Sequence, residues 1–243
     1  MRRRFFVDEF TGTTAVILGD TAHHLGHVLR AETGQLYELS DGSSAWLARI
    51  ESVSRNRLEF TLLDPLPAPQ PLADIILLLS IVKFDAYEWA IEKATELGVS
   101  RIIPLAAARS EKGLLAAAAK RSVRWQKILL EASQQSRRLR IPQLEELAKP
   151  SQAFAGQTAE FRLVLSERSD APSIRKSLDG ANVATRSTGA ALAIGPEGGW
   201  TGDELLAARA AGFQEASLGQ LILRTETAVV AALATLNFVL SPE

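Results

Sequence analysis

The chain has 243 residues, of which 47% are hydrophobic, and its formal net charge at pH 7 is -1. This size allows one large core or two modest ones, and the charge argues against a uniformly basic nucleic-acid binder. The absence of cysteine excludes disulfides and thiolate metal sites. Because no apolar run has the length of a membrane span and no signal-peptide pattern is present, we expect a cytoplasmic protein without a membrane partner.

Residues 1–72 are predicted to form a small β-rich domain with one helix. That helix is expected to start at Asp20 or Thr21 as N-cap, to reach about Arg30, and to stop before Gly34. Several short strands at close spacing favour a small barrel. The strands are expected at Phe5–Val7, Thr14–Leu18, Gln35–Leu39, Ala45–Glu51 and Leu58–Leu63. Four prolines within residues 64–71 stiffen the backbone, so we place the domain boundary there.

Residues 73–243 alternate between strand and helix patterns, which predicts a parallel sheet with helices on both faces. Strands are expected at Ile75–Val82, Arg101–Leu105, Phe161–Leu165, Ala191–Ile194 and Glu215–Leu218. Helices are expected at 87–97, at 114–139 with one break, near 171–178, at 202–211 and from about Glu226 to Leu240. The last helix is almost wholly apolar, so it should be buried all round, in the core or against another subunit.

Two glycine-containing turns each follow a predicted strand and lead into a helix. In the first, residues 195–199, glycines permit positive φ and let a ligand approach the backbone. The second follows Leu218. Carboxyl ends of parallel strands meet at one edge of a sheet, so the two turns predict one shared pocket. The spacing fits neither a dinucleotide fingerprint nor a Walker A loop, and Thr201 with Glu204 predicts a capping box.

Charged residues at three places are candidates for function. Arg224 and Glu226 lie at the mouth of the apolar last helix, where a cap with a salt bridge and a functional role are equally compatible. His23 and His27 could share a helix face as a metal pair, but without a third ligand nearby we prefer capping, packing or phosphate contact. Residues 120–140 carry seven basic residues and one acid, Glu131, which indicates either a phosphate-binding stripe or a solvated helix face.

Motifs at six places resemble those of one known family, in the right order. The small domain carries His23-His24-Leu25 with Val28-Leu29-Arg30. The large domain carries residues 93–99, Arg109-Ser110 and residues 131–138, and its most specific motifs are residues 194–199 and 222–228. The chain thereby resembles the RsmE family of 16S ribosomal RNA uridine-N3 methyltransferases, in the SPOUT superfamily. The resemblance covers nearly the whole chain.

The resemblance implies an α/β fold with an N-terminal PUA-like β-barrel, residues 1–72, and a C-terminal SPOUT domain with a trefoil knot, residues 73–243. It implies S-adenosyl-L-methionine as the cofactor and no metal. The partners it implies are 16S rRNA within the small ribosomal subunit and a second copy of the chain, joined through the C-terminal domain. The implied cofactor-binding residues are Ile194, Gly195, Pro196, Glu197, Gly198, Gly199, Leu218, Gly219, Ile222, Leu223 and Arg224.

Cations and one amide in both domains are assigned to RNA binding. They are Arg2, Arg3, Arg4, Arg30, Lys83, Arg109, Arg124, Gln135 and Arg138. The chain departs from the family at Gln220-Leu221, where Pro-Arg is usual, and at Ala86, where a basic residue is usual. These departures affect substrate contacts more than cofactor binding, because the glycines and the apolar lining are retained.

The implied reaction transfers a methyl group to N3 of a uridine. Arg224 is the expected catalytic residue, since a cation beside the cofactor would stabilise negative charge on the uracil carbonyls. Glu226 or Glu197 could serve as the base, and a spontaneously deprotonated uridine would need none, so the base stays open. Two alternatives also stay open: a non-catalytic RNA-binding or assembly protein of the same fold, and a methyltransferase that acts at another RNA position.

Overall fold

The computed structural model describes residues 3–67, 73–178 and 189–240. Its contacts divide the chain into two units. The first consists of Met1–Gln70 with Ser133–Ile141, and the second of Pro71–Ala132 with Pro142–Glu243. These contacts group Ser133–Ile141 with the first unit, whereas the sequence prediction includes the segment in residues 73–243. The amino-acid composition does not change at the ends of this segment. Its grouping with the first unit depends on tertiary contacts alone.

A five-stranded mixed sheet, a half-barrel, forms the first unit. Its strands are β1 (Arg4–Phe6), β2 (Thr14–Leu18), β3 (Leu36–Ser40), β4 (Ala45–Ser54) and β5 (Arg57–Pro65). The spatial order is β1-β3-β4-β5-β2, in which only β1 and β3 pair in parallel. Alternate side chains such as Phe5, Ile50 and Phe60 are buried in its core. All five predicted strands are present, with ends shifted by a few residues.

The helix of the first unit is shorter and less regular than predicted. Helix α1 (Gly19–His23) continues into a π-helical turn, His24–Val28, instead of running as one helix to Arg30. Leu18 is its N-cap and makes no side-chain capping bond, so the prediction of Asp20 or Thr21 as cap is wrong. Only Ala22 and Leu25 are buried in this segment, and that short apolar stripe is too small to stabilise a longer helix.

A buried ion pair joins Ser133–Ile141 to the sheet of the first unit. Arg4 Nη2 lies 2.9 Å from Glu38 Oε2, and both side chains are 9% exposed. Arg4 Nη1 also donates to the carbonyl of Arg137 at 2.8 Å, and Arg137 Nη1 lies 3.5 Å from Glu38 Oε1. The assignment of Arg4 to RNA binding is therefore corrected, because its guanidinium is used inside the fold.

The second unit is built on a six-stranded sheet that is parallel throughout, as predicted. Its strands are β6 (Ile75–Ser80), β7 (Arg101–Leu105), β8 (Gln143–Leu144), β9 (Phe161–Leu165), β10 (Ala190–Ile194) and β11 (Gln214–Ala216). The spatial order is β11-β9-β10-β6-β7-β8. Strands β6 and β10 are buried along their whole length, which explains their unbroken apolar sequence.

Helices cover both faces of this sheet. They are α2 (Phe84–Glu96), α3 (Lys112–Gln135), α4 (Pro150–Ala155), α5 (Ile174–Leu178), α6 (Gly202–Ala210) and α7 (Thr225–Leu240). One core includes residues of α2, α3, α5 and α7, and the other includes residues of α4 and α6. The predicted break in the helix at 114–139 is wrong, and α4 and β8 were not predicted.

Within this chain helix α7 is buried on one side, so burial all round would require another subunit, the second of the two possibilities given by its sequence. Val229, Leu233 and Leu236 are fully or almost fully buried, whereas Phe238 is 87% exposed. The buried side packs against α2, where Asn237 Nδ2 donates to the carbonyl of Leu97 at 2.6 Å. The other side of the helix thus leaves apolar surface, such as Phe238, uncovered by this chain.

The described part of the chain contains neither a membrane-spanning helix nor a metal-binding cluster. Its helices include none with the length and apolarity needed to cross a membrane. Its histidines, aspartates and glutamates form no group of three that could bind a metal ion. The rings of His23 and His27 instead stack on each other, with centroids 4.5 Å apart.

Replacement of Glu38 tests the buried ion pair. We expect Glu38→Gln to lower the free energy of unfolding by about 3 kcal/mol, because it leaves the buried Arg4 without a counter-charge. Urea unfolding followed by circular dichroism measures the change. In the control, Glu51→Gln removes an exposed partner of Arg49, which lies 3.0 Å away, and should change the free energy of unfolding far less, because solvent screens this pair. Equal losses in the two variants would contradict the role of Glu38.

Candidate functional site

A cavity of about 520 Å³ lies at the carboxyl ends of three neighbouring strands, β9, β10 and β11. The segments that leave these strands form its wall, and the two predicted turns are both part of it. Each of the eleven residues implied for cofactor binding lines this cavity. Strand order brings them together, since β9 is hydrogen-bonded to both β10 and β11.

Trp200 holds the first turn against the end of β9. Its Nε1 donates to the carbonyl of Leu165 at 2.8 Å, and its side chain is buried. A methyl group at Gly195 would lie 3.1 Å from this indole, so a glycine is needed where the chain passes the ring. Gly199 has a φ of +68°, and its amide donates to the carbonyl of Pro196 at 2.8 Å. The turn therefore requires glycine at two positions, Gly195 and Gly199.

Thr201 and Glu204 form the predicted capping box at the start of α6. The Thr201 hydroxyl accepts from the amide of Glu204, and Glu204 Oε2 accepts from the amide of Thr201 at 2.8 Å. The other oxygen, Oε1, accepts from the amide of Ala108 at 2.8 Å. Glu204 therefore also ties the helix start to the loop that follows β7, a contact that the sequence analysis missed.

Arg109 lies in the cavity wall beside the first turn. Its Nη1 donates to the carbonyl of Gly198 at 2.7 Å. A methyl group at Gly198 would lie 3.1 Å from Arg109 Cβ, so the two residues are in close contact. Arg109 is among the residues predicted to bind RNA, but the contacts described here are with the first turn.

The second turn, residues 217–224, presents apolar side chains at the surface of the cavity. Leu221 and Ile222 are 82% and 79% exposed, whereas Leu218 and Leu223 pack against the core. Ser217 Oγ donates to the carbonyl of Gly219 at 3.0 Å, and Gly219 has a φ of +135° that favours glycine. The turn is thus shaped by local hydrogen bonding and leaves its hydrophobic residues uncovered.

The two candidate catalytic residues occupy different positions. Arg224 is exposed and lines the cavity, and among the described residues its guanidinium has no salt bridge or hydrogen bond. Among the described residues, Arg224 therefore has no partner for the structural salt bridge that was the alternative to a functional role. Glu226, in the first turn of α7, is partly buried and is not among the lining residues, whereas Glu197 is.

A third segment of the wall escaped the sequence analysis. Ser166, Glu167 and Arg168 follow β9 and line the cavity. Arg168 is paired with Asp170 at 2.8 Å, and hydrogen bonding to Asp170 raises the pKa of its guanidinium. No motif marks these residues, because their place in the site depends on β9 lying between β10 and β11.

The residues assigned to RNA binding differ in availability. Arg3, Arg30, Lys83 and Gln135 are exposed, and Arg2 lies outside the described residues. Arg124 Nε is 2.7 Å from Glu88 Oε2, a buried carboxylate that also pairs with Arg121 at 3.1 Å. Two cations of the predicted stripe are therefore paired with an acid from another helix.

Arg138 lies in the first unit, whereas Arg124 belongs to the second, so the basic stretch is divided between the units. Arg138 Nε donates to the carbonyl of Arg140 at 3.1 Å. Burial lowers the pKa of its guanidinium to about 10, because a charged group loses hydration there. The sequence pattern of 120–140 therefore overstates the number of fully solvated cations.

Comparisons with known proteins identify the family of this chain. Residues 68–237 match the family model of an RNA methyltransferase domain, and residues 17–63 match an RNA methyltransferase PUA domain. The ribosomal RNA small subunit methyltransferase E of Mycobacterium bovis is 32% identical over 98% of this chain and 92% of that protein.

Two solved structures are similar over nearly the whole chain. The crystal structure of a ribosomal RNA small subunit methyltransferase E from Neisseria gonorrhoeae, bound to S-adenosyl methionine, has a TM-score of 0.86 and 31% identity, and the match covers 98% of each chain. A putative methyltransferase of Legionella pneumophila, in complex with the same cofactor, has a TM-score of 0.85 and 28% identity over 97% of each chain. The chain belongs to the ribosomal RNA small subunit methyltransferase E family.

Proposed function

We propose that this protein transfers a methyl group from S-adenosylmethionine to N3 of a uridine in the 16S rRNA of the small ribosomal subunit. The observation that carries this proposal is the glycine-lined cavity, which contains every cofactor-binding position implied by the family motifs. Family membership supplies the reaction class, and the side chains in the wall supply the chemistry that the reaction needs.

The cavity fits the cofactor in size and character. Its volume of about 520 Å³ lies within the range of roughly 300–1,000 Å³ that is usual for cofactor sites. Leu218 and Leu223 offer apolar surface for an adenosine, and the exposed turn offers backbone groups. Within the described residues, the amides of Glu197 and Gly198 donate to no protein acceptor, so they are available to a ligand. When bound, the cofactor supplies an electrophilic methyl group.

Arg224 provides the positive charge that this methylation requires. N3 of uridine carries a proton at neutral pH, and its loss places negative charge on the uracil carbonyls. Among the described residues, no carboxylate pairs with the Arg224 guanidinium. Its positive charge is therefore available to stabilise the negative charge on the uracil. Of the two candidate bases, Glu197 lines the cavity and Glu226 does not, so Glu197 is the better placed carboxylate.

The RNA substrate must present an unpaired base. N3 is on the Watson–Crick edge, so the uridine is single-stranded or extruded when it reacts. Exposed cations, among them Arg3, Arg30 and Lys83, are suited to the surrounding phosphates. Since the substrate is ribosomal RNA, the protein is proposed to work in the cytoplasm.

Homodimer formation through α7 is part of the proposal. Thr227, Ala234 and Phe238 are exposed on this helix, and they recur at spacings that place them on one side. A second copy of the chain would cover that apolar surface. The trefoil knot implied by the resemblance remains a prediction.

Loss of the gene tests the reaction. Mass spectrometry of 16S rRNA from cells without the protein should lack one N3-methyluridine, and expression of the protein should restore it. Purified protein should also melt at a higher temperature with S-adenosylmethionine, because a ligand of the native state stabilises it. No thermal shift at saturating cofactor would favour the non-catalytic alternative, and loss of a different modification would favour another RNA position.

Replacement of Arg224 tests its role. Arg224→Ala should lower kcat by about a hundredfold, the usual scale for removing one donor that stabilises a developing anion. The Kd for S-adenosylmethionine, measured by calorimetry, should stay close to that of the wild type. Arg175→Ala, which removes an exposed arginine of α5 outside the cavity, is the control. Normal turnover of Arg224→Ala would remove Arg224 from the catalytic machinery.

Phe238 tests the dimer. We expect Phe238→Asp to convert a dimer to a monomer, because a charge would be placed in the apolar contact. Sedimentation velocity measures the change in mass. Leu206→Asp alters another exposed apolar residue, on α6, and should leave the dimer intact. A wild-type protein that sediments as a monomer would contradict this part of the proposal.

A further inference from the structure

Arg109 has no assigned part in cofactor binding, yet its side chain donates a hydrogen bond to the first turn, residues 195–199. It belongs to the loop after β7, residues 106–110, and reaches across to the turn that follows β10. We infer that Arg109 is a positioning residue that fixes the peptide group between Gly198 and Gly199 in the conformation that binds S-adenosylmethionine. The inference rests on the proposed function, since it deepens the role of the same cavity.

Both polar atoms of that peptide group are hydrogen-bonded. The carbonyl of Gly198 accepts from Arg109 Nη1 at 2.7 Å, and the amide of Gly199 donates to the carbonyl of Pro196 at 2.8 Å. The orientation of a planar peptide is determined once both of its ends are held. Arg109 supplies the only one of these two bonds that comes from outside the turn.

The turn needs such a tether because two adjacent glycines make it flexible. Glycine has more backbone freedom than other residues, so ordering Gly198 and Gly199 costs more conformational entropy. A turn that is ordered before the ligand arrives does not pay this cost from the binding energy. Arg109 therefore affects the affinity of the cofactor without touching the reacting atoms.

The loop that carries Arg109 is itself firmly anchored. Ser110 is buried, and its Oγ donates to the carbonyl of Ile81, just after β6, at 2.7 Å. The amide of Ala106 donates to the carbonyl of Ala148 at 2.9 Å. Glu204 Oε1 accepts from the amide of Ala108, which ties the loop to the start of α6 as well. The loop after β7 thus contacts the turn at Gly198 and the start of the helix that follows the turn at Glu204.

The stem of Arg109 contributes separately from its guanidinium. A methyl group at Gly198 would lie 3.1 Å from Arg109 Cβ and 3.4 Å from Cδ, so the stem packs directly under the turn. Methionine retains an unbranched stem of similar length but has no donor. Arg109→Met therefore removes the hydrogen bond while it keeps most of this packing, and Arg109→Lys keeps the charge and one flexible donor.

Calorimetry and hydrogen exchange test the inference. We expect Arg109→Met to raise the Kd for S-adenosylmethionine about tenfold, the effect of losing one charge-assisted hydrogen bond. Exchange of the Gly199 amide in the cofactor-free protein should become faster. In kinetics, the loss should appear in the KM for S-adenosylmethionine more than in kcat, because Arg109 fixes the turn and makes no contact with reacting atoms. Arg109→Lys should recover part of the affinity.

The control is Lys112→Met, which removes a positive charge from an exposed residue three positions away that does not line the cavity. It should leave the Kd and the exchange rate unchanged. An unchanged Kd and an unchanged exchange rate in Arg109→Met would overturn the inference, even if RNA binding were weakened. A wild-type protein that does not bind S-adenosylmethionine would instead overturn the proposed function, and exchange at Gly199 would still decide whether Arg109 fixes the turn.

Discussion

The cavity depends on one hydrogen bond between neighbouring strand ends, from the Trp200 indole to the carbonyl of Leu165. This bond bends the chain that leaves β10 back over the end of β9, so the first turn becomes a wall and not an extended loop. Gly195 is required beside the indole because a side chain there would meet the ring. The packing of Trp200 against Phe154, with ring centroids 5.8 Å apart, secures the indole from the other side. The first turn of the cavity wall thus rests on an apolar core contact.

Basic residues serve two purposes in this protein, and only their partners separate them. Arg4 and Arg137 share Glu38, and Arg121 and Arg124 share Glu88. In each case a carboxylate with 9% exposure pairs with two arginines from other elements of the chain. Buried carboxylates need such partners, so these cations contribute to the stability of the fold. Arg30 and Lys83, in contrast, are exposed.

The elements with strong local patterns were predictable. Arg101–Leu105 and Phe161–Leu165 have the predicted bounds, because a buried parallel strand is mostly apolar, here with a single partly exposed arginine in each strand. The capping box at Thr201 and Glu204 was also predictable, since it depends on a spacing of three residues. Strand β8 and helix α4 were missed because they are only two and six residues long. The π-helical turn after α1 has no pattern that distinguishes it from an ordinary helix.

The sequence by itself determined that a β-rich region precedes a region of alternating strands and helices. It also determined both glycine turns, Arg224 at the end of the second turn, and the family that these motifs indicate. Local patterns suffice for this, because periodicity, glycine and capping residues act over a few positions. The tertiary structure alone decided that Ser133–Ile141 joins the first unit, that the segment after β9 completes the cavity, that Arg109 bonds to the first turn, and that Glu204 bonds to the loop after β7. These features depend on strand order and on side chains about 90 positions apart in the chain, and no local pattern contains that information.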